Sequence, residues 1–163
     1  IIAARPAMGK TAFVLSMARN MAVDKNIPIA MFSLEMSNVQ LVNRLLVNVC
    51  EISGEKIKSG QLLPAEWAQL DTKMRALYDV PLYVDDTPSL SVFELRTKAR
   101  RLVREYGVKM IIIDYLQLMC KENNHNRKEE MSAILQSLNA LAEELNISIL
   151  ALSQAYNDIK IDE

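Results

Sequence analysis

The run Ala4-Arg5-Pro6-Ala7-Met8-Gly9-Lys10-Thr11 constrains the fold of this chain more than any other. An apolar stretch, residues 1–4, reads as a strand before it, and residues 11–23 carry a helical pattern after it. A glycine-containing turn between strand and helix that ends in Gly-Lys-Thr has the context of a phosphate-binding loop. Successive backbone N–H groups from Ala7 to Thr11 can point into one concavity, and the positive end of the helix dipole adds to their field. Gly9 allows close approach of the backbone, Lys10 has the reach to bridge two phosphates, and the Thr11 hydroxyl suits a Mg2+ ion. The general pattern opens on glycine where this chain has Ala4. Alanine is tolerated there if φ is negative and costs on the order of 1 kcal/mol if φ is positive. The other glycines, Gly54, Gly60 and Gly107, never fall into a G-x-G-x-x-G run, which excludes a dinucleotide fingerprint.

Short apolar runs then alternate with amphipathic ones. Residues 29–34, 82–85, 110–114 and 147–152 read as buried parallel strands, since they are nearly continuous in apolar residues. Ser37 and Gln40 have the spacing of a capping box that opens a helix over 38–49, and Pro64 suits the first turn of a helix to about residue 78. Ser91 and Glu94 form a second capping box, and Gly107 suits the position that closes that helix. Residues 128–145 place Met131, Ile134, Leu135, Leu138, Leu141, Ala142 and Leu145 on one stripe. The alternation predicts an α/β fold with a mostly parallel sheet flanked by helices.

Composition narrows the function classes. The 163 residues suit one domain, and 50% hydrophobic with 24% charged residues excludes a disordered or fibrous chain. A net charge of −1 provides no overall basic footprint for nucleic acid, although a local patch is compatible with it. Two cysteines, Cys50 and Cys120, do not form a disulfide framework, which points to a reducing, cytoplasmic setting. No apolar run has the length of a membrane span. The chain opens inside an apolar run without Met and closes on a polar tail, so it reads as a piece of a larger protein, truncated at both ends.

Polar residues at the ends of the apolar strands are the next candidates. Asp114 ends the strand Met110-Ile111-Ile112-Ile113 and suits a Mg2+-associated carboxylate. Glu35 follows the second strand. It suits either a water-polarising base or a carboxylate that stabilises the following helix N-terminus. Asp85 and Asp86 read as structural. Gln154 ends the fifth strand, where a neutral amide can bond a γ-phosphate. The basic run Arg96, Lys98, Arg100, Arg101 and Arg104 reads as a solvated helix face. Met17, Met21, Met31, Met36 and Met119 read as core filling, Trp67 as packed, and His125 as exposed.

Taken in order, AARPAMGKTAF, FSLEMS, IDYLQLM and ALSQ resemble the RecA-type motor domain of bacterial DnaB-type replicative helicases. The resemblance covers residues 1–154. Residues 155–163 form a tail or a discontinuous segment, without the asparagine–arginine continuation of the family. The resemblance implies a RecA-like P-loop NTPase that uses ATP and Mg2+, assembles as a homo-hexameric ring and moves on single-stranded DNA. Primase and a helicase loader are implied partners through parts not in this chain. The family tolerates alanine in place of the first loop glycine. By the same resemblance the nucleotide loop is Ala4, Arg5, Pro6, Ala7, Met8, Gly9, Lys10, Thr11 and Ala12, with Lys10 acting in catalysis. Glu35 is the catalytic glutamate, Asp114 the Mg2+-associated aspartate, Gln154 the γ-phosphate sensor and Arg44 a nucleotide-contacting arginine. Lys121, Arg127 and Lys128 lie in the region that faces the central channel of such rings and are candidate DNA contacts. The family's arginine finger lies beyond ALSQ, so this chain alone is expected to bind ATP and hydrolyse it very slowly. Alternatives are another RecA-type ATPase, such as a recombinase or a ring-forming regulator, and a nucleotide-binding module without turnover.

Overall fold

A computed structural model describes residues 1–75, 77–120 and 127–155. Five strands, β1 (Ile2–Ala4), β2 (Ile29–Ser33), β3 (Leu82–Asp85), β4 (Met110–Asp114) and β5 (Ser148–Gln154), form one sheet in the order β1-β5-β4-β2-β3. Every pairing is parallel. The helices are α1 (Lys10–Arg19), α2 (Asn38–Cys50), α3 (Gly54–Ser59), α4 (Pro64–Arg75), α5 (Val92–Tyr106) and α6 (Arg127–Leu145).

The strand sequences explain why both faces are covered. Side chains alternate across a strand, so an unbroken apolar run needs a core on each side. In β4, Ile111 and Ile113 enter one core and Ile112 the other. In β2, Ala30 and Phe32 share the first core, whereas Ile29 and Met31 share the second. The first core takes Leu95 and Ala99 of α5 and Ile134, Leu138 and Leu141 of α6; the second takes Val14, Leu15 and Ala18 of α1 and Leu41 of α2. Chain direction accounts for this division. From β1 to β2 to β3 the chain advances across the sheet, and from β3 to β4 to β5 it returns. Crossovers keep one hand, so helices made on the way out and on the way back lie on opposite faces. A small third cluster joins Cys50, Ile52 and Leu70 beneath α3 and α4.

Several boundaries differ from the sequence reading. The first helix passes from α into a π-turn over Asn20–Asp24 instead of continuing as α-helix to residue 23. β5 starts one residue later than expected and extends to Gln154, because β1 pairs with its last residues. α4 ends at Arg75 rather than near residue 78, and α3 and the 3-10 turn Leu116–Met119 carry no apolar periodicity that would have announced them. Trp67, expected to pack, is 52% exposed, since α4 buries only Leu70. Both capping boxes form as expected, with Gly107 in the left-handed conformation after α5.

The basic run on α5 is largely solvated, as read from the sequence, with Arg101 69% and Arg104 81% exposed, and it is also engaged in surface ion pairs. Arg96 and Arg100 both bond Glu144 on α6, and Lys98 bonds Asp85 and Thr87. Met31 and Met119 are buried, and Met17, Met21 and Met36 pack against the second core. His125 and residues 156–163 lie outside the described residues.

Candidate nucleotide site

The carboxyl ends of β1, β2, β4 and β5 open onto one cleft of about 510 Å³, within the usual range for a ligand site. The turn after β1 lines it with Pro6, Ala7 and Gly9, and the start of α1 with Lys10, Thr11 and Ala12. Glu35 enters from the end of β2, Asp114 from β4, Gln154 from β5 and Arg44 from α2. Residues from sequence positions 6 to 154 are thus gathered by the sheet at one edge.

The loop conformation resolves the question raised by Ala4. Ala4 lies in β1 and has no positive φ; the left-handed positions are Ala7, φ 61°, and Gly9, φ 82°. A Cβ at Gly9 would meet nothing within 4 Å, so backbone conformation rather than space favours glycine there. Ala4 is therefore the tolerated case, and the non-glycine residue in the left-handed conformation is Ala7.

Among the described residues no side chain caps the start of α1, whose N-cap is Gly9. Its first-turn N–H groups therefore face the cleft without a side-chain acceptor, which is the arrangement that binds anions. The Lys10 ammonium donates to the carbonyl oxygens of Ala4 at 2.7 Å and Arg5 at 3.0 Å, which holds its charge at the β1 exit. The Thr11 hydroxyl donates to Asp114 Oδ2 at 2.8 Å. Asp114 is 1% exposed, and burial raises its pKa. The bond from Thr11 and the charges of Lys10 and Arg44 oppose that rise, whereas Glu35 adds to it. A buried carboxylate beside a hydroxyl at a phosphate-type loop is the hard-oxygen set that Mg2+ takes together with phosphate and water. Among the described residues no group of three or more His, Cys, Asp and Glu is clustered to hold a metal by itself.

Ser33 places Glu35. Its buried hydroxyl donates to the Met36 carbonyl at 2.8 Å and accepts from the Met36 N–H at 3.3 Å, closing a tight turn around Glu35. The Leu34 N–H bonds the Asp114 carbonyl at 2.8 Å and ties this turn to β4. Glu35 is exposed within the cleft and makes no cap contact with α2, whose N-terminus is closed by Ser37, Gln40 and Asp86. Asp86 accepts from the Asn38 N–H, and Asp85 bonds Lys98, so both have the structural roles read from the sequence.

Some loop residues do not line the cleft. Ala4 and Arg5 take part through the carbonyls that hold Lys10, while Met8 points outward and is 72% exposed. Met36 and Gln40 do line it and had not been singled out for it; Gln40 was legible only as a helix-cap residue. Of the candidate DNA contacts, Lys121 lies outside the described residues, Arg127 is the first residue of α6, and Lys128 is exposed beside it.

Comparison with known proteins bears on the whole cleft. The family model for the DnaB-like helicase C-terminal domain matches residues 1–160. The chain is 45% identical to the replicative DNA helicase DnaB of Geobacillus stearothermophilus over 98% of its length, and spans 36% of that relative. Among solved structures, one described as an ATPase domain superposes with a TM-score of 0.87 at 33% identity, over 96% of this chain and 56% of that one. A DnaB-like replicative helicase, described with its interactions with primase, superposes at 0.88 with 34% identity, over 96% of this chain and 38% of that one. The fold is accordingly RecA-like.

Proposed function

Because the chain belongs to the DnaB-like helicase C-terminal domain family, we propose that it is the ATP-driven motor of a replicative DNA helicase, with residues 1–154 as the motor core. The observation that carries this reading is the convergence of Lys10, Thr11, Glu35, Arg44, Asp114 and Gln154 on one cleft. ATP binds with its phosphates against the first-turn N–H groups of α1. Lys10 leaves the Ala4 and Arg5 carbonyls for the β- and γ-phosphates, a charge-assisted exchange that favours the triphosphate. Arg44 contacts the nucleotide from α2.

Thr11 and Asp114 hold Mg2+, which neutralises charge on the phosphates. Glu35 accepts a proton from the attacking water, which needs a carboxylate exposed to the cleft and not committed to a helix cap. Gln154 bonds the γ-phosphate with a neutral amide and reports whether it is there. Hydrolysis drives movement along single-stranded DNA in a homo-hexameric ring, with Lys121, Arg127 and Lys128 as contacts to the strand. A primase and a helicase loader engage the full-length protein in the cytoplasm. Among the described residues no helix is long and apolar enough to cross a membrane.

The full-length protein tests this. Its ATPase rises on addition of single-stranded DNA, and it separates a forked duplex in the presence of ATP and Mg2+. ATPase without strand separation would favour another RecA-type role, and binding without turnover would reduce the chain to a nucleotide-binding module.

A further inference from the structure

One side chain beside the cleft has no part in the roles above. Gln117 lies on the 3-10 turn that follows Asp114 and is half-buried. The β4–β5 ladder runs only as far as Ile113 opposite Ala151, yet β5 continues to Gln154. On its other side that extension is paired with β1, Ala3 opposite Ser153 and Ala4 opposite Gln154. Towards β4 it has no strand beside it, because the chain turns away after Asp114.

The Gln117 carboxamide occupies that place. Its Nε2 donates to Ser153 Oγ at 2.8 Å and to the Gln154 carbonyl at 3.0 Å, and its Oε1 accepts from the Gln154 N–H at 3.3 Å. One side chain thus bonds both backbone groups of Gln154, as a neighbouring strand would. At neutral pH an amide offers a donor and an acceptor side by side without charge, where a carboxylate offers acceptors alone, and asparagine is one methylene shorter.

We propose that Gln117 is a positioning residue for hydrolysis: it completes the sheet at the end of β5 and so fixes the direction in which Gln154 enters the cleft. This rests on the reading of Gln154 as the γ-phosphate contact. The same turn follows closely on Asp114, the last residue of β4, so one short segment connects the metal-side carboxylate with the phosphate-side amide. Binding of ATP relies mainly on the α1 loop, whereas the Gln117 carboxamide bonds Ser153 and Gln154 on β5. Its loss therefore acts on turnover more than on affinity, because misplacement of a reacting contact by a fraction of an ångström is felt mostly in the transition state.

The test compares Gln117→Ala, Gln117→Glu, Gln154→Ala and the Gln117→Ala/Gln154→Ala double variant in the full-length protein, by kcat, ATP affinity and melting temperature. Gln117→Glu keeps the size of the side chain but sets a carboxylate against the Gln154 carbonyl, and it substitutes for the alanine variant if that one fails to fold. Each Gln117 variant is expected to lose roughly 10- to 10²-fold in kcat with ATP affinity nearly unchanged. The double variant is expected to turn over no more slowly than Gln154→Ala alone, since both act through one contact. Additive losses, or a lowered melting temperature with normal kcat, would overturn the proposal. If Gln154→Ala slows turnover and Gln117→Glu does not, the positioning role falls while the reading of Gln154 stands. If Gln154→Ala has no effect, both fall.

Discussion

The β1–α1 and β2–α2 units are built from the same parts, a parallel strand, a short turn and a helix on the same face of the sheet, yet their helix starts are opposites. At α2, Ser37 and Gln40 close a reciprocal capping box and Asp86 takes the Asn38 N–H, so the Asn38, Gln40 and Leu41 donors are bonded by its own chain. At α1, the residue before the helix is Gly9 in a left-handed conformation, with no side chain to cap anything. The α5 start repeats the closed form with Ser91 and Glu94. Polar groups left without partners at a helix start weaken a fold, so a protein leaves such a start open where a ligand fills it. The nearby carboxylates divide in the same way. Asp85 and Asp86 are bonded by protein donors, whereas Glu35 stands exposed in the cleft.

This contrast can be broken most sharply at Glu35, which lies between the open cleft and the closed start of α2. Glu35→Gln in the full-length protein is expected to retain ATP affinity and lose roughly 10²-fold or more in steady-state turnover. Normal turnover with reduced stability would place Glu35 with the closed start instead.

Lys10→Ala probes the open start directly. Loss of charge-assisted contacts worth about 1.5–3 kcal/mol is expected to weaken ATP binding roughly 10- to 150-fold, measured by calorimetry. Unchanged affinity would mean that the α1 start is not the phosphate site.

Ser91→Ala is the converse experiment on a closed start away from the cleft. Denaturant unfolding should show a loss of about 1 kcal/mol, with ATP affinity untouched. A change in affinity would show that the two kinds of helix start are not separate in their effects.

The smallest effect is expected at Asp85. Burial alone would raise its pKa, but bonds from Lys98 and Thr87 outweigh burial and lower it. A carboxylate with a depressed folded pKa stabilises the protein above the unfolded value, near 3.9, and loses that contribution as pH falls through the folded value. Lys98→Met is expected to cost about 0.2–1 kcal/mol at neutral pH and to flatten the acid limb of the stability profile. An acid limb unchanged in the variant would remove Lys98 as the cause.

Much of the cleft was legible before the fold. The phosphate loop declares itself through Gly9, Lys10 and Thr11 between strand and helix. Asp114 was legible because a carboxylate ends an otherwise apolar strand, and sheets of this kind present such ends to ligands. Glu35 was ambiguous, since a carboxylate before a helix suits both a cap and a base. The capping of α2 by Ser37, Gln40 and Asp86, without Glu35, supports the reading as a base. Ser33 and Gln117 were not legible as site residues at all. Both lie inside the runs FSLEMS and IDYLQLM, but each acts through hydrogen bonds whose partners are chosen by the turn geometry, and for Gln117 by a strand distant in sequence.

What the sequence by itself determined is local: the period-two and 3.6-residue patterns, the two capping boxes, the glycine that closes α5, and the strand–loop–helix unit that begins the chain. These depend on residues a few positions apart, so propensity and short-range hydrogen bonding decide them. Tertiary structure alone decided the strand order, and with it which strand ends meet. It set β1 beside β5 and carried β5 to Gln154, and it brought Thr11 within hydrogen-bonding distance of Asp114 across more than a hundred residues. It also decided which non-glycine loop residue is left-handed, Ala7 and not Ala4. The physical reason is that parallel strands meet only through crossovers. Their neighbours are chosen by how helices cover both faces of the sheet, a choice that no single stretch of sequence contains.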